Sequence, residues 1–241
     1  MARFFVAATN INGGMAYMDE AAMEHIRVLR LRKGETFTVC DGSGTDYTCR
    51  LAENGPCAEI MEASPSCGEP TVKCRVFAAY SKGDKMDVTV QKCTELGADE
   101  IVVFPSHRCI VKFDKAGALK KTARWQRIAE EAAKQSGRGI IPQVTAADSF
   151  TSAVSMAVTA ELPVFLYENE KKTSLPSLLP PGSTVRTVSV MSGPEGGFEQ
   201  SEAEYAEKAG MKSVTLGPRI LRCETAPLCA VTAVMVLTGN L

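Results

Sequence analysis

Two loops carry the residues best suited to chemistry. "GPEGG", from Gly193 to Gly197, places three glycines and a proline around one glutamate, directly after the apolar run Thr187 to Met191. Such glycines let a backbone approach a ligand closely. "SEAE", from Ser201 to Glu204, reads as a capping-box start for the helix that follows. The spacing matches neither G-x-G-x-x-G nor G-x-x-x-x-G-K-[ST], so a dinucleotide or P-loop phosphate site has no specific support. The same arrangement returns in "LGPRILRCETAP", where Pro218 sets a turn and Arg219, Arg222 and Glu224 bring charge beside a small-residue helix start at Thr225 and Ala226. A third strand end, "FLYEN" at Phe165 to Asn169, faces the same crevice if the strands are parallel.

The elements that must position these loops fall into two blocks. From Arg3 to about Val72, short alternating runs lie between turn signals, with Asp41-Gly42 and Asn54-Gly55 as tight turns and one helix near Asp19 to Leu29. This predicts a small β barrel or sandwich. From Val72 on, strands alternate with helices. Strands are expected at Val72 to Tyr80, Glu100 to Pro105, "LPVFLYE", "RTVSVMSG" and "KSVTLG"; helices at Lys85 to Leu96, Leu119 to Gln135, "QSEAEYAEKAG" and the C-terminus. That pattern implies an α/β domain with a mainly parallel sheet covered on both faces. The boundary is placed near residues 66–73, giving domains 1–70 and 73–241, and Ala146 to Ala160 is the least decided stretch.

Composition narrows the classes. Of 241 residues, 45% are hydrophobic and 23% charged, ordinary for a globular protein, and the net charge of -1 gives no global attraction to nucleic acid or anionic membrane. The apolar stretch from Ala226 to Leu237 is shorter than the ~18 residues that suggest a membrane span, and the start lacks the apolar core of a signal peptide, so a cytoplasmic, non-membrane protein is expected. Nine cysteines form no C-x-x-C pair, and no His, Cys and carboxylate cluster suggests a metal. Reduced thiols packed as small hydrophobes are expected. Charge is local instead. Nine Lys or Arg stand against three Asp or Glu between Ile101 and Pro142, and four against one between Glu24 and Lys33. Such stretches offer phosphate contacts to RNA, or are simply solvated helix faces.

"GPEGGF" followed by "LGPRILRCETAP" closely resembles the RsmE family of S-adenosyl-L-methionine (SAM)-dependent 16S rRNA uridine-N3 methyltransferases, within the SPOUT superfamily. "HIRVLR", Lys33-Gly34, "QKCTELGADEIVVFPSHR" and "RWQRIAEEAAKQSGRGIIP" extend the resemblance over nearly the whole chain; Cys223 departs from it, standing where related sequences more often carry threonine or another residue. The resemblance implies a SPOUT-type parallel sheet with a C-terminal trefoil knot, an N-terminal PUA-like RNA-binding β-barrel domain, and a homodimer acting on 16S rRNA or the small ribosomal subunit. It implies a SAM site with no metal, lined by Leu166, Tyr167 and Glu168, by Gly193, Pro194, Glu195, Gly196 and Gly197, and by Leu216, Gly217, Arg219, Ile220, Leu221, Arg222, Thr225 and Ala226. It favours Arg27, Arg30, Arg108, Lys134 and Arg138 as RNA contacts. His25 and His107 read as packing or hydrogen-bonding residues.

Uridine N3 carries a proton at neutral pH, and its removal spreads charge over the flanking carbonyl oxygens. A base or a cation is needed. Arg222, Arg138 and Arg108 are candidate cations, and Glu195 and Glu224 candidate bases, although Glu195 can equally brace its own loop and Glu224 a helix N-terminus. Two other readings stay open here: a SPOUT methyltransferase acting on another RNA position, and a non-catalytic RNA-binding protein. Intact "GPEGG" and "LGPRILRCETA" weigh against the second.

Overall fold

A computed structural model describes residues 2–52 and 55–241. It divides into two compact units, Met1–Glu69 with Ala133–Ile141, and Pro70–Ala132 with Pro142–Leu241. A single cut near residues 66–73 does not anticipate the first unit's second segment.

The first unit is built from β1 (Arg3–Phe5), β2 (Ile11–Asn12), β3 (Met15–Tyr17), α1 (Glu20–Val28), β4 (Thr36–Cys40), β5 (Thr45–Leu51) and β6 (Cys57–Pro65). Its sheet runs β1-β4-β5-β6-β3-β2, with β1 parallel to β4 and the other pairs antiparallel. The Asp41-Gly42 turn joins β4 to β5: Asp41 Oδ1 accepts from Ser43 N at 2.8 Å, and Gly42 adopts φ +75. The expected Asn54-Gly55 turn falls partly on Asn54, outside the described residues. Phe4, Phe37, Val39, Cys49 and Ile26 form the core, with His25 edge-on to Phe4 at 5.5 Å between centroids.

α1 opens on Asp19, whose side chain accepts from Ala22 N, and closes in a Schellman motif: Leu31 N reaches Ile26 O at 3.2 Å and Arg30 N reaches Arg27 O at 3.0 Å. The left-handed position in this motif is held by Arg30, at φ 55, rather than by glycine.

Two ion pairs lock the unit. Arg3 grips Asp46 through two 2.6 Å hydrogen bonds, and Ser66 Oγ donates to Asp46 as well, at 2.5 Å. Burial pushes the Asp46 pKa up, but the bonds from Arg3 and Ser66 outweigh it, and the net shift is downward. A carboxylate depressed on folding stabilises the fold above its unfolded pKa of about 4, and that contribution is lost as pH falls through the lower folded value. Asp46→Asn is therefore expected to lower the melting temperature at neutral pH, and the gap from wild type should close in acid. Thermal melts of both proteins from neutral to acid pH check this; a gap constant with pH would mean that the charge contributes nothing.

The second pair corrects an expectation. Arg138 is only 3% exposed, and its guanidinium donates to both oxygens of Glu69, at 2.8 and 3.3 Å. Glu69 also takes the amides of Gly139 and Ile140. Arg138 is spent inside the unit, so neither an RNA phosphate nor a uracil oxygen can reach it.

The second unit contains β7 (Lys73–Ala79), α2 (Lys85–Glu95), β8 (Ala98–Phe104), most of α3 (Lys115–Ser136), β9 (Gln143–Ala146), α4 (Phe150–Ala157), β10 (Leu162–Leu166), α5 (Leu175–Leu178), β11 (Thr187–Ser192), α6 (Gln200–Ala209), β12 (Lys212–Val214) and α7 (Thr225–Leu237). Its sheet runs β12-β10-β11-β7-β8-β9 with every pair parallel. Strands buried on both sides read as continuous apolar runs, and β10 is buried along its whole length. α2, α5 and α7 form one packed group on the sheet, and α4 and α6 another. The undecided stretch 146–160 holds α4, capped by Ser149, whose Oγ accepts from Ser152 N at 3.0 Å. Among the described residues, no helix is long and apolar enough to cross a membrane.

All nine cysteines are free thiols, and Cys40, Cys49, Cys74, Cys93 and Cys109 are buried. Burial pushes Cys49 up to about 11 and Cys74 up to about 12, which keeps them protonated and inert.

Candidate functional site

Because β10, β11 and β12 are parallel neighbours, their C-terminal ends lie on one edge, with Phe165 beside Met191 and Leu166 beside Val214. The three loops leaving that edge enclose a cavity of about 460 Å³. It is lined by Leu166, Tyr167 and Glu168 after β10, by Ser192, Gly193, Pro194, Glu195, Gly196 and Gly197 after β11, and by Val214, Thr215, Leu216, Gly217, Arg219, Ile220, Leu221, Arg222 and Cys223 after β12, with Ala226 from α7. Lys85 at the start of α2 and Lys171 complete the wall. The expected lining residues thus come together with one exception. Thr225 is not part of the wall; it is the exposed first residue of α7, and its amide is tied to Arg222 O at 2.9 Å.

Each glycine of the β11 loop has its own reason. A Cβ on Gly193 would lie 3.1 Å from the ring of Phe198, which is 1% exposed and packed at 4.3 Å on Phe165. Gly197 sits at φ +67, and a Cβ there would fall 2.1 Å from Glu168 Oε1. At Gly196 a Cβ would meet Arg108, 3.1 Å from its Cβ, so a side chain here would press on that arginine. Arg108 in turn donates to Gly196 O at 3.0 Å.

The loop ends on α6, whose capping box pairs Glu199 with Glu202, two residues earlier than Ser201 and Glu204. Tertiary contacts explain the shift. Glu202, 8% exposed, accepts from Glu199 N, Ser106 Oγ and His107 N, all at 2.9 to 3.0 Å, so the carboxylate needed at the third helical position is the one the neighbouring loop already holds. His107 Nδ1 lies 2.9 Å from Glu199 Oε1.

Glu195 Oε1 receives Lys82 N and Lys85 Nζ, each at 2.9 Å, while Oε2 is buried without a hydrogen-bond partner among the described residues. Burial raises its pKa, but Lys85 and the Lys82 amide prevail and hold it below the usual carboxylate range. A carboxylate so stabilised is a brace and a poor base. Glu224, outside the cavity wall, is also depressed: burial raises it, and its own amide, the Cys223 thiol at 3.2 Å, Lys85 and Arg222 together lower it further. The Cys223 thiol is pushed up to about 12, first by burial and then by Glu224, which removes it as a nucleophile. Arg222 is exposed, and no hydrogen bond or ion pair holds its guanidinium among the described residues. Lys85 and Lys171 are the charged groups that the reading from sequence missed. Among the described residues, no three His, Cys, Asp or Glu side chains are placed to hold a metal ion.

The comparisons with known proteins agree with this geometry. A family model described as an RNA methyltransferase domain matches residues 68–235, and one described as an RNA methyltransferase PUA domain matches residues 19–56. The chain is 33% identical over 219 residues to ribosomal RNA small subunit methyltransferase E of Bacillus subtilis (strain 168), covering 87% of this chain and 84% of that one. It is also 33% identical to the enzyme of the same name from Mesomycoplasma hyopneumoniae (strain 232), over 96% and 98%. Among solved structures, ribosomal RNA small subunit methyltransferase E from Neisseria gonorrhoeae bound to S-adenosyl methionine superposes with a TM-score of 0.83 at 33% identity, over 98% of both chains. The chain therefore belongs to the RNA methyltransferase family that contains the ribosomal RNA small subunit methyltransferases E.

Proposed function

We propose that this chain transfers a methyl group from SAM to N3 of a uridine in the 16S rRNA of the small ribosomal subunit. The cavity at the parallel strand ends carries the reading. Its volume of about 460 Å³ lies within the range of small-molecule sites, and it combines apolar walls with the backbone of two glycine-bearing loops. The partnerless Glu195 Oε2 supplies a buried acceptor for an N–H or O–H donor, such as the cofactor's ammonium or hydroxyls. The three loops, with Glu195 and Glu168, would hold the cofactor. When bound, it supplies the methyl carbon: an N3–C bond forms as the S–C bond breaks, and the electron pair of that bond goes to sulfur.

In this reading residues 1–70 form a PUA-like β-barrel domain that engages RNA through Arg27 and Arg30, with Arg108 and Lys134 as further contacts, and residues 73–241 form the catalytic domain. The motifs around "GPEGG" and "LGPRILRCETAP" support a trefoil knot in the second domain. The exposed side chains of Ile220 (75%) and Val236 (53%), before and on α7, support a homodimer packed there. Location in the cytoplasm follows from the rRNA substrate.

Labelled SAM incubated with the protein and undermodified small subunits, followed by nucleoside mass spectrometry, tests the activity. Label in 3-methyluridine is expected; label at another base or none would overturn the proposal. Binding should need neither RNA nor metal: EDTA-treated protein is expected to give calorimetric heat with SAM or S-adenosylhomocysteine. Silence with both would remove the cofactor from the cavity.

A further inference from the structure

We propose that Lys85 is a catalytic residue, whose ammonium stabilises the negative charge that uracil acquires when N3 gives up its proton. The inference rests on the methyl-transfer reading above. The proton leaves N3 to solvent water, the N–H electron pair stays on the ring, and the resulting charge spreads over the two flanking carbonyl oxygens. The ammonium keeps its own protons throughout and acts by position.

Position distinguishes Lys85 from the other cations of the cavity. Charge stabilisation is effective when the charge is fixed before the reaction begins. Arg222 and Arg219 are exposed on the loop after β12, and among the described residues no hydrogen bond or ion pair holds Arg222. Lys171 is exposed and committed to Glu168 O at 2.5 Å in the loop after β10. Lys85 instead projects from the first residue of α2, a rigid element, and is anchored to Glu195 Oε1 at 2.9 Å. The Lys82 amide shares that oxygen, and among the described residues the ammonium makes this one hydrogen bond, so two of its three N–H groups can donate to a carbonyl oxygen. Its side chain is 32% exposed, which leaves it reachable by a base entering from solvent. The hydrogen bond it donates to Glu195 raises its pKa above the ordinary lysine value, so the charge is present wherever RNA is stable. The titratable and charged groups around it are Glu195 on the loop after β11, Cys223, Glu224 and Arg222 ahead of α7, and Lys82 and Asp84 on its own loop.

The test combines single-turnover methylation of small-subunit RNA across pH with calorimetry using S-adenosylhomocysteine. Lys85→Met is expected to slow transfer about 100-fold at neutral pH, the scale for losing one preorganised charge-stabilising donor. S-adenosylhomocysteine affinity should fall far less than the rate, since Lys85 reaches the cofactor site only through the cavity wall and Glu195. The deficit should shrink as pH rises, because solvent then deprotonates N3 unaided, and Lys85→Arg should restore part of the rate. A loss matched by weaker S-adenosylhomocysteine binding, or a deficit constant with pH, would reduce Lys85 to a brace for the glycine loop. Since Lys85→Met leaves Glu195 with a partnerless charge, the double variant Lys85→Gln/Glu195→Gln, which can keep a neutral hydrogen bond, provides a second arm. Wild-type transfer rates in the double variant would overturn the proposal, and a loss of about 100-fold that persists at saturating SAM would uphold it. Failure of the wild-type protein to methylate uridine would instead overturn the underlying reading.

Discussion

Gly197→Ala is expected to weaken SAM binding about thirtyfold, equivalent to about 2 kcal/mol. Two costs follow, and only the second falls on affinity. The backbone at φ +67 is left-handed, which costs an ordinary residue roughly 1–2 kcal/mol of fold stability, with or without cofactor. The new methyl also falls 2.1 Å from Glu168 Oε1, so the carboxylate must swing off the cavity wall it now helps to form. Two comparisons separate these costs. Gly182 has φ +77 with nothing within 4 Å of the added Cβ, so Gly182→Ala carries the backbone strain alone, away from the cavity. It should lower the melting temperature and leave affinity intact. Gly196→Ala meets only Arg108 at 3.1 Å and should cost less than Gly197→Ala. Calorimetry and thermal melts on the three variants measure this. If Gly197→Ala binds SAM as the wild type does, the loop is a structural turn, and the cavity assignment loses its central wall.

What the sequence makes legible is what depends on neighbours along the chain. β10 is recognisable because a strand buried on both faces reads as a continuous apolar run. The loops stand out because Gly197 and Gly217 occupy positive φ that other residues avoid. Lys85 was invisible for the opposite reason. Its partner lies 110 residues away, and nothing near "KGDKMD" marks one lysine as anchored and the others as solvated. Arg138 misleads likewise: it belongs to a basic stretch, and only the fold brings Glu69, 69 positions earlier, onto it. The α6 start is ambiguous locally, since Glu199 with Glu202 and Ser201 with Glu204 share one spacing. Ser106 and His107, on another loop, decide between them. Long-range pairing of polar groups is thus where local reading stops, and the catalytic proposal for Lys85 depends on such a pair.

Arg30→Gly is expected to move stability and RNA binding in opposite directions. At φ 55 the arginine bears left-handed strain of roughly 1–2 kcal/mol at a helix end where glycine is the usual occupant. Glycine would relieve that strain at the cost of about 0.5–1 kcal/mol of extra unfolded-chain entropy, leaving a net gain of about 0.5 kcal/mol. The exposed side chain makes no hydrogen bond or ion pair among the described residues that would repay the strain. Its use must then lie outside the chain, and a phosphate is the partner suited to a guanidinium beside Arg27 on the same exposed helix end. Arg30→Gly should therefore raise the melting temperature slightly, weaken RNA binding severalfold and flatten the dependence of affinity on salt by about one ion. Reversing both charges, Arg27→Glu with Arg30→Glu, should weaken RNA binding by about 100-fold at low ionic strength while S-adenosylhomocysteine affinity stays unchanged. Salt titrations of RNA affinity, melts and calorimetry on these variants give the outcome. Unchanged RNA affinity in the double reversal would remove this helix end from the RNA face. A stabilised Arg30→Gly that bound RNA as tightly as wild type would mean that the strain serves no phosphate.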